Sequence, residues 1–319
     1  MAVWLFTGAV AGATALGQLD RLDVEGRLGW AFDLFAHWPR QLFLAALVAA
    51  MAAGAMRMMR PAAMAALVAA FNAAVVLNTN GFALPEQAPQ ASRQLRVVSA
   101  NVHRSPDALL AVAKLAQEYR ADVVSIYEAP DALKEADLGQ LFTGMSLTVM
   151  PSQTDGGYEI SKRSLIAARA GARDQVHVTY FEHSNGVIMR LPFEGVQIVT
   201  THPPSPGRPQ YAYDRNRQLP RTADNLNRDQ PFIIMGDMNT TPWGNIYSSV
   251  PGTRAGDPRF DGTFPAIAGP LGLPIDHISS AAGWCSRITA WDQIPGRTIC
   301  PCSPPLPRRT IDLRPPPRE

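Results

Sequence analysis

The chain has 319 residues, a length that fits one large domain with an additional segment and excludes a peptide-sized scaffold or disorder throughout. Hydrophobic residues make up 46% of the chain and charged residues only 18%, so part of the surface is expected to face something other than water. The net charge of +2 excludes the broad positive field that would by itself indicate nucleic-acid binding. The three cysteines, Cys285, Cys300 and Cys302, provide neither a disulfide framework nor a CxxC zinc pair.

Three stretches without a charged residue lie near the N-terminus, at 2–19, 41–56 and 61–84. About 20 helical residues are needed to cross the hydrocarbon layer of a bilayer, so the first and third stretches are long enough. The second is shorter and either spans with local thinning or forms a re-entrant or surface helix. We predict a membrane region over 1–84 with two to three transmembrane helices. A cleaved signal peptide is the alternative for the first stretch, but no Lys or Arg precedes it and two more apolar stretches follow.

The orientation of this region follows from Arg57 and Arg60, which lie between the second and third stretches. Under the positive-inside rule this connection stays in the cytoplasm, so the third helix leaves on the outer side. The connection between the first two stretches carries charges of both signs, which fits the outer side. Residues 85–94, rich in Pro, Gln and Ala, are predicted to be a linker into a domain outside the cytoplasm.

The following region alternates between strand and helix patterns. A strand is predicted over 95–100, a helix begins at the Ser105-Pro106-Asp107 cap sequence, and a buried strand covers 122–128. A hairpin is predicted from 186–191 and 196–201, and later strands from 231–235 and 275–279, while 140–185 reads only as mixed strands and loops. The apolar face of the helix is formed by Leu109, Val112, Ala113 and Ala116.

Several of these strands end in a polar residue that burial does not explain: Asn101, Glu128, His202, Asp237 and Asn239. Each has an ordinary explanation by itself as a strand end or turn residue. Together they are expected to gather at a sheet edge, where α/β proteins collect their chemistry. Carboxylate and carboxamide oxygens suit Mg²⁺ or Mn²⁺ rather than zinc, and a phosphodiester needs such a metal, an activated water and a hydrogen-bond donor.

The order of the motifs resembles the endonuclease/exonuclease/phosphatase superfamily, which has the DNase I-like fold. The resemblance covers about 95–296, and its most specific part is the Gly-Asp-x-Asn-x-x-Pro element that begins at Gly236. It implies an α/β fold, a four-layer α-β-β-α sandwich, here preceded by transmembrane helices. The membrane-anchored bacterial branch has a similar multi-helix N-terminus, which implies the inner membrane and a periplasmic catalytic domain. The matching pieces are Ser-Ala-Asn101, Tyr-Glu128, Thr-Thr-His202, Gly-Asp237-Met-Asn239-Thr-Thr-Pro and Ile-Asp276-His.

The resemblance also implies a role for each matching residue. Glu128 would hold Mg²⁺ or Mn²⁺, with Asn101 as a ligand or a phosphate contact. Asp237 would orient or activate the attacking water, and Asn239 would position it and contact the phosphate. His202 would donate to a non-bridging oxygen.

Other residues near these motifs are less directly implied. Asp276 would support its end of the site by orienting a His or assisting the leaving group, whereas His277 should face the other side of its strand. His103 lies close to Asn101 in sequence and has no counterpart in the family. Four residues after His202 are expected either to contact a phosphate or a ring, or to form a solvated helical face, and we favour the solvated face. Arg208 is the candidate for substrate binding among them. This group consists of Arg208, Tyr211, Arg215 and Arg217.

The C-terminus departs from the family pattern, because the usual Ser-Asp-His triplet before the last strand is absent. Residues 297–319 are rich in Pro and Arg and cannot form a buried strand. A set of GC-rich codons can encode residues 296–302 and, when the reading frame is moved back by one base, encode Ser-Asp-His-Leu-Pro-Leu. We therefore hypothesise that the reading frame of the gene changed near Gly296. The rival interpretation is a genuine tail in which 310–313 forms a short edge strand.

These observations predict a membrane-anchored, divalent-metal-dependent phosphoesterase or nuclease that uses in-line attack of activated water. The substrate class remains open among nucleic acid, lipid headgroup and small phosphoester, and no protein partner is predicted. The alternative is an impaired pseudoenzyme, or a frame-damaged copy, that lacks the C-terminal motif. A transporter-like protein is disfavoured, because the apolar stretches carry no charge to mark a translocation path.

Overall fold

The computed structural model describes residues 1–78, 95–155, 158–169, 176–180, 187–193, 195–224, 226–255 and 262–281. The predicted linker over 85–94, the Pro/Arg-rich tail over 297–319 and the three cysteines lie outside the described residues.

Four helices form the N-terminal region. The apolar stretches become α1, α3 and α4, while α2 is a separate helix within the charged connection. By length and composition, α1 and α4 are each long and apolar enough to cross a membrane. Helices α2 and α3 meet at a bend of 65°, and they add a third span only if the pair is counted as one broken span. The predicted two to three transmembrane helices thus match these helices in length and composition, while their crossing of a membrane stays a prediction. The helices are α1 (Ala2–Leu19), α2 (Gly26–Ala36), α3 (Pro39–Ala55) and α4 (Met59–Leu77).

The helices α1, α3 and α4 pack through small and polar residues. Ala46, Ala53 and Ala65 are buried between them, and Asn72 Nδ2 donates to Thr14 Oγ1 over 2.9 Å. Larger apolar side chains on the same helices point outward. This arrangement is typical of helices packed within a bilayer, where small residues permit close approach and polar residues bond across the interface.

The first sheet of the following domain has the strand order β1-β2-β6-β3. β1 and β2 are parallel, and β6 is antiparallel to both β2 and β3. A separate two-stranded ribbon is formed by β4 (Gln153–Asp155) and β5 (Tyr158–Ser161). The strands of the first sheet are β1 (Val97–Asn101), β2 (Val123–Tyr127), β3 (Met145–Met150) and β6 (Ser164–Arg169).

The second sheet has the strand order β11-β12-β10-β9-β8-β7. β9 and β10 are parallel, whereas the remaining pairs are antiparallel, including the predicted β8–β9 hairpin. The strands are β7 (His177–Tyr180), β8 (Val187–Phe193), β9 (Val196–Thr201), β10 (Phe232–Asp237), β11 (Thr253–Arg254) and β12 (Asp276–Ser280).

The two sheets pack face to face with helices on their outer faces. Alternation along β1 directs Val97 into the core between the sheets and Val98 toward the helices of the first sheet. On the outer face of the second sheet, Leu219 of the helix Pro209–Asp224 packs against Ile234 of β10. These layers are the predicted four-layer α-β-β-α sandwich. The outer helices are α5 (Pro106–Glu118), α6 (Glu135–Leu141) and α7 (Pro209–Asp224).

Local sequence signals explain two features near the site. Ser105 Oγ accepts a hydrogen bond from the Ala108 backbone N–H over 3.2 Å, so the predicted cap of α5 is confirmed. At Gly236 a Cβ atom would lie 1.8 Å from the carbonyl oxygen of Thr201. Only glycine permits β9 and β10 to approach this closely directly before Asp237.

Candidate active site

The candidate site forms where both sheets present strand ends along one edge. Asn101 ends β1 and Glu128 follows β2, its parallel neighbour. His202 follows β9 and Asp237 ends β10, which are the parallel pair of the second sheet. Because parallel strands end at the same edge, each sheet contributes two polar side chains to one place.

Asn101 connects the two sheets at this edge. Its Nδ2 donates to Glu128 Oε1 over 3.0 Å and to Asp237 Oδ2 over 3.0 Å, while its Oδ1 accepts from the His103 backbone N–H. The Asn101 amide thus holds the two carboxylates near each other, although their like charges would otherwise separate them.

Glu128 is a buried carboxylate with cationic groups around it. Its Oε1 lies 2.7 Å from Lys162 Nζ and 3.3 Å from His202 Nε2, and its Oε2 lies 3.3 Å from His103 Nδ1. Burial alone raises the pKa of Glu128, but the contacts with His202, Lys162 and Asn101 outweigh it and hold the pKa well below its usual range. Glu128 is therefore ionised at neutral pH.

His202 lies between the two carboxylates and is itself buried. Its Nδ1 is 3.1 Å from the Asp237 carbonyl oxygen, and its ring packs against Tyr127 with the centroids 5.3 Å apart. Burial lowers the pKa of His202, but the hydrogen bond to Glu128 and the charge of Asp237 raise it above its usual value. Both ring nitrogens consequently have an acceptor when the imidazole is protonated.

The turn after β10 holds Asp237 and Asn239 in fixed positions. The Asn239 backbone N–H donates to Asp237 Oδ1 over 3.1 Å, and Asn239 Nδ2 donates to the Pro203 carbonyl oxygen over 2.9 Å. Asn239 has a φ of 49°, in the left-handed region that Asn tolerates better than most residues. This turn therefore joins the loop after β9 to the end of β10.

The remaining predicted residues lie at different distances from this centre. Asp276 begins β12 and pairs in register with Asp237, so it is at the same edge. Arg208 is exposed and stacks on Tyr211, with its guanidinium 5.7 Å from the ring centroid, and no described contact joins it to the cluster. His103 does reach the site, through its contact with Glu128.

His277 has a structural role, in agreement with its placement on the opposite side of the strand. Its Nδ1 accepts from Arg254 Nε over 2.8 Å, so its Nε2 donates to the Thr240 carbonyl oxygen over 2.8 Å. Burial and the neighbouring Arg254 charge hold the pKa of His277 well below its usual value. The imidazole is neutral and supports the turn from behind.

Arg215 corrects one sequence-based expectation. We favoured a solvated helical face for its group, yet its side chain is 0% exposed. It donates to the Asn239 carbonyl oxygen over 2.9 Å and forms an ion pair with Asp33 over 2.6 Å. A burial signal was present in the sequence, because Ala212, Arg215 and Leu219 share one helical face, but the countercharge lies 182 residues away.

The ion pair connects α2 of the N-terminal region with the turn after β10. Asp33 is also 3.4 Å from His37 Nε2, and His37 Nδ1 lies 3.0 Å from Thr241 Oγ1. The Trp30 indole N–H donates to the Pro206 carbonyl oxygen over 2.7 Å. Helix α2 thus contacts the loops after both β9 and β10. Sequence reasoning did not identify Asp33, His37 or Lys162.

The chain is similar to known proteins in both sequence and fold. A sequence model of the Endonuclease/Exonuclease/phosphatase family matches residues 75–312. The fold is similar to an endonuclease/exonuclease/phosphatase from Beutenbergia cavernae DSM 12333, with a TM-score of 0.50 and 18% identity over 70% of this chain and 72% of that chain. Truncated TDP2 from Caenorhabditis elegans gives a TM-score of 0.49 and 15% identity, over 69% of this chain and 96% of that chain. No curated protein sequence matches the chain.

Since the family match covers more than half of its residues, the chain belongs to the Endonuclease/Exonuclease/phosphatase family. Its fold is the DNase I-like fold. Family and fold support a hydrolase of the phosphoesterase or nuclease type, and members of this family generally use divalent metal ions.

The donor set of the site fits a hydrated magnesium ion better than a metal enclosed by protein ligands. In the described parts of the chain, no group of three or more His, Cys, Asp or Glu side chains is placed to hold a metal ion. Mg²⁺ commonly takes one or two carboxylates and retains several waters. Glu128 is such a carboxylate, ionised and facing cationic or hydrogen-bond-donating groups. Asn101 directs its amide nitrogen toward Glu128. To bind a metal ion there, the amide group would have to turn over so that its oxygen faces the ion.

The buried ion pair provides a test of this arrangement. Asp33→Asn leaves the Arg215 guanidinium buried without its countercharge, and breaking such pairs costs about 3 to 5 kcal/mol. We expect a lower Tm for the full chain in detergent, measured by tryptophan fluorescence. The matched control is Glu25→Gln, an exposed carboxylate directly before α2, which should leave Tm unchanged. Equal Tm values for the two variants would contradict this role of Asp33.

Proposed function

We propose that the protein is a membrane-anchored, Mg²⁺- or Mn²⁺-dependent phosphoesterase that hydrolyses a phosphodiester or phosphomonoester by in-line attack of water. The observation that carries the proposal is the cluster of Asn101, Glu128, His202 and Asp237. These side chains come from both sheets, lie within hydrogen-bond or ion-pair distance of one another, and are buried or partly buried. An ordinary strand end needs no such linked set of charges.

The first step is activation of the attacking water by Asp237. Its Oδ1 accepts the Asn239 backbone N–H and its Oδ2 accepts the Asn101 amide, so the carboxylate is held in one orientation. An oriented carboxylate can align a water and accept its proton as the new bond to phosphorus forms. The Asn239 side chain, fixed on the Pro203 carbonyl oxygen, lies next to Asp237 and would position the water and contact the phosphate.

The divalent ion would be held by Glu128, with Asn101 beside it. When bound, Mg²⁺ or Mn²⁺ supplies positive charge that neutralises phosphoryl oxygens. Lys162 Nζ lies 2.7 Å from Glu128 Oε1 and would have to move aside when the ion binds, because it competes for the same carboxylate oxygen.

Charge that develops on the phosphoryl oxygens needs a donor, and His202 would fill this role by turning its Nε2–H from Glu128 to a phosphoryl oxygen. With its pKa raised, its imidazole is protonated over a wider pH range than a free histidine, and it donates a charge-assisted hydrogen bond. Asp276, in register with Asp237, would support the leaving-group end. Arg208 would contact substrate from the exposed loop before α7.

The competing hypothesis is an impaired pseudoenzyme that lacks the Ser-Asp-His triplet. An acid/base residue typically contributes about 10² to 10⁴ in rate, so its loss would leave weak activity. His103 favours retained activity, because it is 62% exposed and lies 3.3 Å from Glu128. Among the described imidazoles at this edge, His103 is open to solvent whereas His202 and His277 are buried.

The same proposal places the catalytic domain outside the cytoplasm, in the periplasm of a bacterial cell. Helix α2 lies between α1 and α3 in the chain and bonds to the catalytic domain through Trp30. The α1–α3 connection and the catalytic domain are therefore on one side of the membrane region. Arg57 and Arg60 lie at the other end of α3, which the positive-inside rule assigns to the cytoplasm.

The catalytic proposal predicts Mg²⁺-dependent hydrolysis of a generic aryl phosphodiester by the full chain in detergent. Asp237→Asn should lower kcat by about 10² to 10⁴, because the base that receives the proton from water is lost. Asp229→Asn, an exposed aspartate in the turn before β10, is the matched control and should keep full activity. Activity that survives in EDTA, or in Asp237→Asn, would contradict the mechanism.

The reading-frame hypothesis predicts a difference between two versions of the protein. The full chain as printed is compared with a version in which Ser-Asp-His-Leu-Pro-Leu follows Gly296, in the same assay. If the frame has changed, the restored version should be faster by about 10² or more. Equal rates, or gene codons at 296–302 that do not yield Ser-Asp-His in another frame, would contradict the hypothesis and favour a genuine tail.

Topology is tested independently of catalysis. Alkaline phosphatase fused after residue 90 should be active in a bacterial host, because that enzyme matures only outside the cytoplasm. A fluorescent protein that folds only in the cytoplasm should stay dark at the same position. The reverse pattern would overturn the orientation without affecting the proposed chemistry.

A further inference from the structure

An exposed apolar turn precedes β12 in the catalytic domain. We call residues 264–271 the apolar turn; it contains the 3₁₀ helix Ala266–Leu271. Its large side chains are unusually open to solvent for a folded domain, with Ile267 at 71%, Leu271 at 54% and Phe264 at 42% exposed. Three large apolar side chains on one short turn form a patch that normally contacts a partner or a membrane.

The apolar turn is attached to the beginning of α3. Gln41 Nε2 donates to the Leu271 carbonyl oxygen over 2.6 Å, and the Arg40 guanidinium donates to the carbonyl oxygen of Gly272. Both donors lie in the first turn of α3, directly before its uncharged stretch from Leu42 onward. The apolar turn therefore lies level with the point at which α3 changes from polar to apolar.

Neighbouring side chains have the character of a membrane interface. Phe35 and Trp38, at the bend between α2 and α3, are both exposed. Aromatic residues concentrate where the hydrocarbon layer meets the headgroups. The exposed apolar side chains of α3 begin immediately beyond this point, at Leu44 and Leu47.

We propose that the apolar turn contacts the lipid bilayer, with Ile267 and Leu271 inserted at the level of the headgroups. The patch is bonded to the first turn of α3, directly before the exposed apolar side chains of that helix, so the bilayer that would surround α3 is the occupant that its position favours. This inference rests on the proposed membrane anchoring and is independent of the proposed catalysis. It makes the catalytic domain itself, and not only its anchor, a membrane-binding surface.

The contact bears on the candidate site through the chain that follows. Thr263 Oγ1, directly before the apolar turn, accepts hydrogen bonds from the backbone N–H groups of Ile275 and Asp276 over 3.0 and 3.2 Å. The turn is thus closed at its base beside the first residue of β12. Insertion of the turn holds the Asp276 end of the site against the membrane surface.

The test uses the full chain in phosphatidylcholine vesicles, with Cys285, Cys300 and Cys302 replaced by Ser. Ile267→Cys, labelled with an environment-sensitive fluorophore, should shift its emission to the blue. Lipids that carry a nitroxide at the headgroup should at least halve that emission. Two labelled variants serve as references: Leu110→Cys on the outer helix α5, and Leu67→Cys in the middle of α4, both exposed leucines.

Leu110→Cys should remain unquenched, whereas Leu67→Cys should be quenched best by a nitroxide deep in the acyl chain. If position 267 behaves like position 110 while 67 is quenched, the anchor stands and the bilayer contact is overturned. If position 67 is also unquenched, the anchoring and this inference fall together. Phosphodiester hydrolysis, measured on the unlabelled chain, reports separately on the catalytic proposal.

Discussion

The candidate active site depends on one constraint: two carboxylates from different sheets are held close together in a largely buried environment. Glu128 and Asp237 would repel each other, and burial makes their charges more costly. The Asn101 amide donates to both, and His202 and Lys162 supply positive charge. The sandwich contributes the geometry, because only face-to-face packing of the sheets brings the ends of β2 and β10 into contact with one asparagine.

A second buried charge joins this centre to the N-terminal helices. Arg215 spans from Asp33 of α2 to the Asn239 carbonyl oxygen, so the turn that carries Asp237 and Asn239 is supported from behind by the N-terminal helices. Contacts from Trp30 and Gln41 reach two further loops around the same edge. The N-terminal helices and the two-sheet domain are thus joined by buried polar contacts.

Much of the fold was predictable because its signals are local. Ser105 caps α5 through its own backbone neighbourhood, and the β8–β9 hairpin follows from two strand patterns on either side of a Pro- and Gly-containing turn. The β-branched residues of β1 and β2 indicate strands whichever partners they find. Residues 140–185 resisted interpretation because β6, with the sequence Ser-Leu-Ile-Ala-Ala-Arg, is buried on both faces and so does not alternate, which also concealed the nearby Lys162.

The polar side chains at the strand ends, the apolar stretches and the family pattern can all be recognised in the sequence, because they depend on composition and on spacing along the chain. Which of these side chains meet depends on the three-dimensional packing. Asn101 donates to a carboxylate 136 residues away, and Arg215 finds its countercharge 182 residues away. Such choices follow from sheet packing and burial, in which residues distant along the chain share one desolvated space.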